Sequence, residues 1–360
     1  MGYARAGNIT QPVLAIGRVG ALCGNIHEIS PPAWISDNAL QLQSCEGFSL
    51  KYLAVVLHSR NLNDIASKTA QPLITGTQVQ DQRLPLPAID EQEAIVRFLH
   101  RETAKHDALI TEQRTLIDLL KEKRQAIISH AVTKGLDPDV AMKDSGVEWL
   151  GEVPAHWEIL RLKQVIKEGS SISYGIVQPG DPQDFGIPFV QTTNMTSGAF
   201  DLEGLQKTTK EIEALYPRSR LIGGEVILGI RASIGSAYVV PHFLAGANLS
   251  RGVARICCDK NIFPEFLVDV FASRVAENYW QLLKQGSTFN EVSIETVREF
   301  CFAFPSLEEQ MKIHQYLDEE KARLEALTAE AETTIALLQE RRSALISAAV
   351  TGKIDVRQAA

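Results

Sequence analysis

The stretch Glu91–Val132, EQEAIVRFLHRETAKHDALITEQRTLIDLLKEKRQAIISHAV, occurs twice in this chain. It returns at Glu309–Val350 as EQMKIHQYLDEEKARLEALTAEAETTIALLQERRSALISAAV. A shift of 218 residues aligns Pro87–Thr133 with Pro305–Thr351 without a gap, and 22 of these 47 positions are identical. Unrelated segments match at roughly one position in fifteen, so the stretch is an internal repeat.

Both copies read as one long helix. Neither holds Gly or Pro between its Glu-Gln pair and its last Thr, and good helix formers dominate. Apolar residues recur near a 3.5 spacing: Ile110, Ile117, Leu120, Ile127 and Ala131, then Ala331, Ile335, Leu338, Leu345 and Ala349. Each helix spans about 60 Å at ~1.5 Å per residue. One apolar seam cannot be buried by its own helix, so the two copies are expected to pair. The alternative is that each packs on its neighbouring globule.

The chain has 360 residues, enough for two or three domains with a sizeable core. No apolar run reaches the ~18 residues of a membrane span, and no signal peptide opens the sequence. A cytoplasmic location is the expectation. Five scattered cysteines (Cys23, Cys45, Cys257, Cys258, Cys301) with no CxxC pair read as reduced core residues. The net charge of −8 does not by itself suggest nucleic acid, although a local basic surface suffices for it.

Residues 1–86 read as an α/β piece: a strand at Pro12–Ile16, a glycine turn from Gly17 to Gly24, a helix at Leu50–Asn61, and a loop at Gln71–Thr77. Asp90 is the expected N-cap of the first long helix, residues 87–135. A linker, 136–152, leads to a second globule, 153–304, with strands at Ile187–Gln191 and Glu225–Arg231 and an amphipathic helix at Phe263–Leu283. The second long helix follows at 305–352, with a tail at 353–360. VLAIGR at Val13–Arg18 resembles VILGIR at Val226–Arg231, so the globules repeat too. By that register the first globule lacks roughly 65–75 residues at its front, and a truncated or internally initiated form is the expectation.

No phosphate loop, HExxH or EF-hand pattern is present. His156, His242 and His314 stand alone, so no metal site is expected. Glu225 with Asp181 and Asp184 could suggest a nuclease cluster, but solvated loop acids are the better reading. With no nucleophile–base pair, the chain reads as a binder, and no catalytic residue is expected.

Several stretches carry a resemblance. SGVEWLGEVPAHWEILRLKQV (Ser145–Val165) and ISYGIVQPG (Ile172–Gly180) resemble parts of a target recognition domain. LPAIDEQEAIVRFL (Leu86–Leu99) and FPSLEEQMKIHQYLDEE (Phe304–Glu320) resemble the openings of conserved helices, and LLKEKRQAIISHAVTKGL (Leu119–Leu136) and LLQERRSALISAAVTGKI (Leu337–Ile354) their exits. Together they resemble the specificity (S) subunit of Type I restriction–modification systems, over almost the whole chain. The resemblance implies an α+β architecture: two α/β recognition domains alternate with two long helices, which pair as an antiparallel coiled coil in a pseudo-twofold repeat. It implies that each domain reads half of a split site in double-stranded DNA. Two methyltransferase (modification) subunits and a restriction subunit are the implied protein partners. S-adenosylmethionine, ATP and Mg are then held by those partners, and this chain carries no cofactor.

Base reading needs hydrogen-bonding side chains on loops. The candidates are Ser173, Tyr174 and Gln178, then Arg231 and Ser233 after the strand, then Asn248, Ser250 and Arg251 in NLSRG, and Ser287, Thr288 and Asn290 in GSTFN. Arg18 is the expected first-globule counterpart of Arg231. The competing classes are a coiled-coil adaptor without sequence-specific DNA binding, and an enzyme in its own right.

Overall fold

The structure is a computed structural model and describes residues 7–43, 45–198, 200–283 and 291–356. In chain order it opens with β1 (Val13–Gly17), β2 (Ile26–Ile29), β3 (Ala39–Leu42), α1 (Leu50–Ser59), α2 (Gly76–Gln80) and the long α3 (Ile89–Lys134). Next come β4 (Met142–Asp144), β5 (Glu152–Pro154), β6 (Glu158–Arg161), β7 (Ser173–Tyr174), β8 (Ile187–Val190), α4 (Thr192–Ser197), β9 (Lys207–Thr208) and α5 (Lys210–Glu213). The chain continues through β10 (Val226–Gly229), β11 (Ala237–Val239), β12 (Asn248–Leu249), β13 (Val253–Ile256), α6 (Pro264–Phe271), α7 (Arg274–Leu283), α8 (Ile294–Arg298), β14 (Cys301–Phe304) and the long α9 (Leu307–Val350). Two compact units result. One joins the residues up to Ile117 with those from Ala329 onward, and the other is Asp118–Thr328, so each long helix contributes to both. No described helix is long and apolar enough to cross a membrane.

In the first unit β1 is the central strand of an antiparallel sheet, order β2-β1-β3, with Val13 opposite Ile29 and Leu14 opposite Leu42. α1 begins after Ser49, whose hydroxyl accepts the Tyr52 N–H as an N-cap. Two faces of α1 are buried. Leu53, Ala54 and Leu57 pack with Leu14 and Ile16 of the sheet. Tyr52 and Val56 pack with Ile95 and Leu99 of α3 and with Ile346, Ala349 and Val350 of α9.

The second unit repeats this plan with additions. Its main sheet has the order β11-β10-β13-β7, and β12-β8-β9 forms another sheet in which β12 and β8 run parallel. α6 takes the place of α1: Phe266 and Val270 share a core with Ile313 and Leu317 of α9 and with Ile128, Ala131 and Val132 of α3. Shifted by 218, these helix positions are the ones that line the first unit's core, with the roles of α3 and α9 exchanged.

The same exchange governs the polar contacts. Gln92 is fully buried; its carbonyl accepts the Ser49 N–H (2.8 Å), and its amide donates to Gly47 O (2.6 Å) and Pro87 O (2.9 Å). Gln310, fully buried in the second unit, accepts the Phe263 N–H (2.8 Å) and donates to Asn261 O (3.1 Å) and Pro305 O (3.0 Å). Each latches the first turn of its long helix to the loop just before α1 or α6. In the first unit Arg342 Nε lies 3.0 Å from Asp107 Oδ1, without the alignment of a hydrogen bond. In the second, Arg124 Nη2 lies 3.3 Å from Glu325 Oε1. Half-exposed pairs of this kind contribute at most about 1 kcal/mol, so their value is in register more than in stability.

One contact is not repeated. Asp269 of α6 is 1% exposed and accepts from His314 Nδ1 (2.8 Å) and from Lys321 Nζ, both on α9. The corresponding first-unit residues are Val55, Val96 and Thr103. The hydrogen bond to Asp269 raises the His314 pKa, against the opposing effects of burial and of Lys321. A pKa raised on folding stabilises the fold fully below the unfolded value of about 6.5. That contribution is lost as pH rises through the folded value. The second unit is therefore expected to lose urea resistance as pH climbs above about 6.5, and His314→Gln is expected to flatten the profile. A wild-type midpoint unchanged from pH 5.5 to 8.5, a range chosen to bracket about 6.5, would count against the clamp.

Several expectations are corrected. The helix foreseen at Phe263–Leu283 is two helices, because the buried Ser273 hydroxyl donates to Val270 O and accepts the Ala276 N–H, ending α6 and capping α7. Asp90 lies inside the first turn of α3 and is not its cap. The last apolar turns bury Ile128 and Ile346, with Ile127 and Leu345 at the margin. The stretch read as a linker contains β4, which pairs with β5. The stretch read as a loop at Gln71–Thr77 runs into α2, closed by a Thr75–Gln78 capping box. Of the cysteines only Cys23 and Cys257 are buried, and Cys45 is exposed.

Candidate nucleic-acid interface

Three segments far apart in sequence converge in the second unit. The loop after β7 lies on the end of β12: Ile176 N donates to Leu249 O (2.6 Å) and Arg251 N to Ile176 O (2.8 Å). Gly175 is needed here, because a Cβ would stand 1.8 Å from Leu249 O. Ser250 N donates to Val190 O (2.8 Å), and Ile230 N to Gly252 O (2.9 Å), which brings in the turn after β10. Gly252 leaves no room for a side chain, since a Cβ would stand 2.5 Å from Thr192 Cγ2 and 3.3 Å from Arg231 Cβ.

Within this convergence the candidates separate by what their polar ends are doing. Tyr174, Gln178 and Arg251 are exposed and Ser250 is half-buried. Their side chains have no hydrogen-bond or ionic partner among the described residues. Ser173 Oγ donates to Arg218 O (2.9 Å). Arg231 is committed to the Glu291 carboxylate through Nε (2.9 Å) and Nη2. The Ser233 hydroxyl is buried without a partner among the described residues. Ser287, Thr288 and Asn290 lie outside the described residues.

Asn248 is corrected outright. It is fully buried, and its amide donates to Glu213 Oε1 (3.1 Å) and Tyr216 O (3.1 Å). Its carbonyl accepts from Ser219 Oγ (2.6 Å) and Leu249 N (2.8 Å). Both donors and both lone pairs are occupied, leaving nothing for a base edge. Its role is to hold the segment that presents Ser250 and Arg251. Arg220 grips the same Glu213 with two 2.7 Å bonds. That guanidinium, helped by the Asn248 amide and opposed by burial, keeps the Glu213 carboxyl below the usual range. Glu225 is corrected too: its side chain is 2% exposed and pairs with Arg255, so it is no solvated loop acid.

The first-unit counterpart also shifts. Val292 N donates to Ile230 O, and Ile74 N donates to Arg18 O. Gly229 and Gly17 are the matching hairpin residues, and Ala232 (φ 56°) matches Gly20 (φ 73°). Arg18 thus stands where the second unit has Ile230, and Val19 is the match for Arg231. A one-residue slip reverses which face a strand residue serves, and two similar hexapeptides could not reveal it. Arg18 remains exposed. Ala232 holds a left-handed conformation that costs a non-glycine residue about 1–2 kcal/mol, at the tip that carries Arg231 and Ser233.

Comparison with known proteins accords with this geometry. The family model "Type I restriction modification DNA specificity domain" matches residues 16–118 and 154–335. The EcoBI specificity subunit of a type I restriction enzyme from Escherichia coli is 25% identical over 336 residues, which cover 91% of this chain and 71% of that protein. In fold, the chain resembles one from a structural study of complex assembly and conformational transition in the type I R-M system. The TM-score is 0.75 at 18% identity, over 97% of this chain and 84% of that one. The HsdS subunit from Thermoanaerobacter tengcongensis matches with TM-score 0.55 at 19% identity, over 98% and 84%. With both globules and most of both long helices inside the matched regions, this chain belongs to the family of type I restriction–modification DNA specificity domains.

Proposed function

We propose that the chain is the DNA-recognition subunit of a type I restriction–modification complex and performs no chemistry itself. Recognition domains at 1–86 and 153–304 each read one half of a split site in double-stranded DNA. Conserved helices at 87–135 and 305–352 pair as an antiparallel, pseudo-twofold coiled coil. The observation that carries this reading is the repeated joint: each globule is fastened to its long helix by the same buried glutamine, Gln92 or Gln310. The exchanged ion pairs, Arg342 with Asp107 and Arg124 with Glu325, support the antiparallel pairing. Half-sites one helical turn apart lie about 34–36 Å from each other, and rods of about 60 Å make a sufficient ruler.

In this reading Tyr174, Gln178, Ser250 and Arg251 present the groups that meet DNA in the second domain, and Arg18 does so in the first. Two methyltransferase subunits and a restriction subunit dock on the frame, bringing S-adenosylmethionine, ATP and Mg with them. The test is methylome sequencing of cells that express this chain with its partner subunits. A split adenine-methylated motif is expected. Removing one heptad, about seven residues, from each long helix is expected to change the unread spacer and leave both half-sites intact. A spacer that survives the deletion would refute the ruler. Methylation without a motif would favour a coiled-coil adaptor, the reading that the net charge of −8 suits.

A further inference from the structure

We propose that a small cationic pocket beside β7 holds a backbone phosphate of double-stranded DNA and thereby sets the register of the second domain on the duplex. The proposal rests on the DNA-recognition reading above. The pocket measures ≈ 360 Å³. Its lining is Gly169, Ser170, Ser171, Arg218 and Arg255, with no carboxylate and no apolar side chain.

The two arginines differ in a useful way. Arg255 is anchored: its side chain is 11% exposed, Nε donates to Glu225 Oε1 (3.1 Å), and Nη1 donates to Arg218 O (3.0 Å). Glu225 is itself held, accepting the Ile222 N–H at 2.7 Å. The Arg255 charge is therefore balanced, while its guanidinium plane is set in advance and Nη2 has no partner among the described residues. Arg218 is exposed, and its guanidinium has no partner among the described residues, so it supplies the net charge. Its backbone carbonyl is pinned by Arg255 and by the Ser173 hydroxyl. The half-buried Ser170 and Ser171 hydroxyls add donors that have no partner among the described residues. A site made of guanidinium and hydroxyl donors suits a tetrahedral oxyanion.

Its place in the fold selects the source of that anion. Ser173 pairs opposite Arg255 and Tyr174 opposite Ala254, so the pocket borders the β7–β13 ladder on the face opposite to Tyr174. Gly252, next to Arg251, is three residues from Arg255, roughly 10 Å along the strand at ~3.3 Å per residue. A duplex read by Gln178 and Arg251 brings its sugar–phosphate backbone to this pocket. The pocket also gives an acidic chain the local positive surface that DNA requires.

The experiment measures binding of the full chain, with its methyltransferase partner, to cognate and scrambled duplexes over a range of salt. Arg218→Ala is expected to weaken both roughly 5- to 10-fold and to lower the slope of log affinity against log salt by about 1, leaving the cognate preference unchanged. Arg218→Lys is expected to keep the slope, which separates charge from folding. Loss confined to the cognate duplex would make Arg218 a base contact, and an unchanged slope would remove it from the interface; either overturns the proposal. Saturable binding of inorganic phosphate that Arg218→Ala abolishes while DNA binding stays intact would assign the pocket to a free anion, and overturn it as well. If the wild-type complex shows no cognate preference at all, the DNA-recognition reading fails first, and the two failures are thereby distinguished.

Discussion

Replacing Trp157 with alanine is expected to destabilise the second unit by about 3–5 kcal/mol. The indole is 2% exposed and lies where three elements of that unit meet. It packs on Gly135 at the C-terminal end of α3, where an added Cβ would come within 3.2 Å of Cζ2, and its Nε1 donates to Glu309 Oε1 of α9 at 3.1 Å. The ring belongs to the turn between β5 and β6, so its loss opens a cavity and frees two helix ends together. Burial would raise the Glu309 pKa, but hydrogen bonds from His156, Trp157 and Ser306 overcome it and hold the carboxyl at about 2. A carboxyl depressed on folding stabilises above its unfolded value of about 4.3 and loses that contribution as pH falls toward the folded one. Trp157→Phe keeps most of the volume and removes the donor, so it is expected to fall well short of the alanine loss, with the deficit present above about pH 4.3 and fading as pH falls toward the folded value. Hydrogen exchange of the α6 and β10 amides reads the second unit alone. A loss below about 1 kcal/mol in Trp157→Ala would mean that the helix ends are held elsewhere.

Gln92→Ala and Gln310→Ala are expected to cost about 2–4 kcal/mol each, by a shared mechanism. Each truncation leaves one N–H and two carbonyls without the fully buried amide that met them: Ser49, Gly47 and Pro87 in the first unit, Phe263, Asn261 and Pro305 in the second. Because the two latches belong to different units and share no partner, the double variant is expected to show the sum within about 0.5 kcal/mol. Urea unfolding followed by exchange in α1 and α6 measures each unit separately. A first-unit loss near zero beside a large second-unit loss would break the equivalence of the two joints. The same variants are expected to weaken DNA binding if each latch fixes a reader to its rod.

The contrast at Asp269 shows how the repeat tolerates divergence. Where the first unit packs Val55 and Val96, the second places Asp269, His314 and Lys321. Buried ion pairs seldom out-stabilise apolar packing of similar volume, because desolvation offsets much of the attraction. The triad's distinguishing property is its dependence on pH, not added stability.

The repeat, the two long helices and the alternation of globule and helix were legible in the amino-acid order. Each is written in local periodicity, in the absence of helix breakers, and in a copy of itself 218 residues away. The convergence of ISYGIVQ, RAS and NLSRG on one surface was foreseeable only as a set of polar loops. Which members of that set are free was decided by contacts that no local pattern encodes. Arg231 meets Glu291 across 60 residues, and Asn248 meets Glu213 across 35. Nothing near Arg231 marks Glu291 as its partner, and nothing near Asn248 marks it as buried. Backbone periodicity is set by bonds a few residues long and can be read from sequence. Side-chain pairing depends on where distant strands finally lie, so only the packed tertiary structure could assign it.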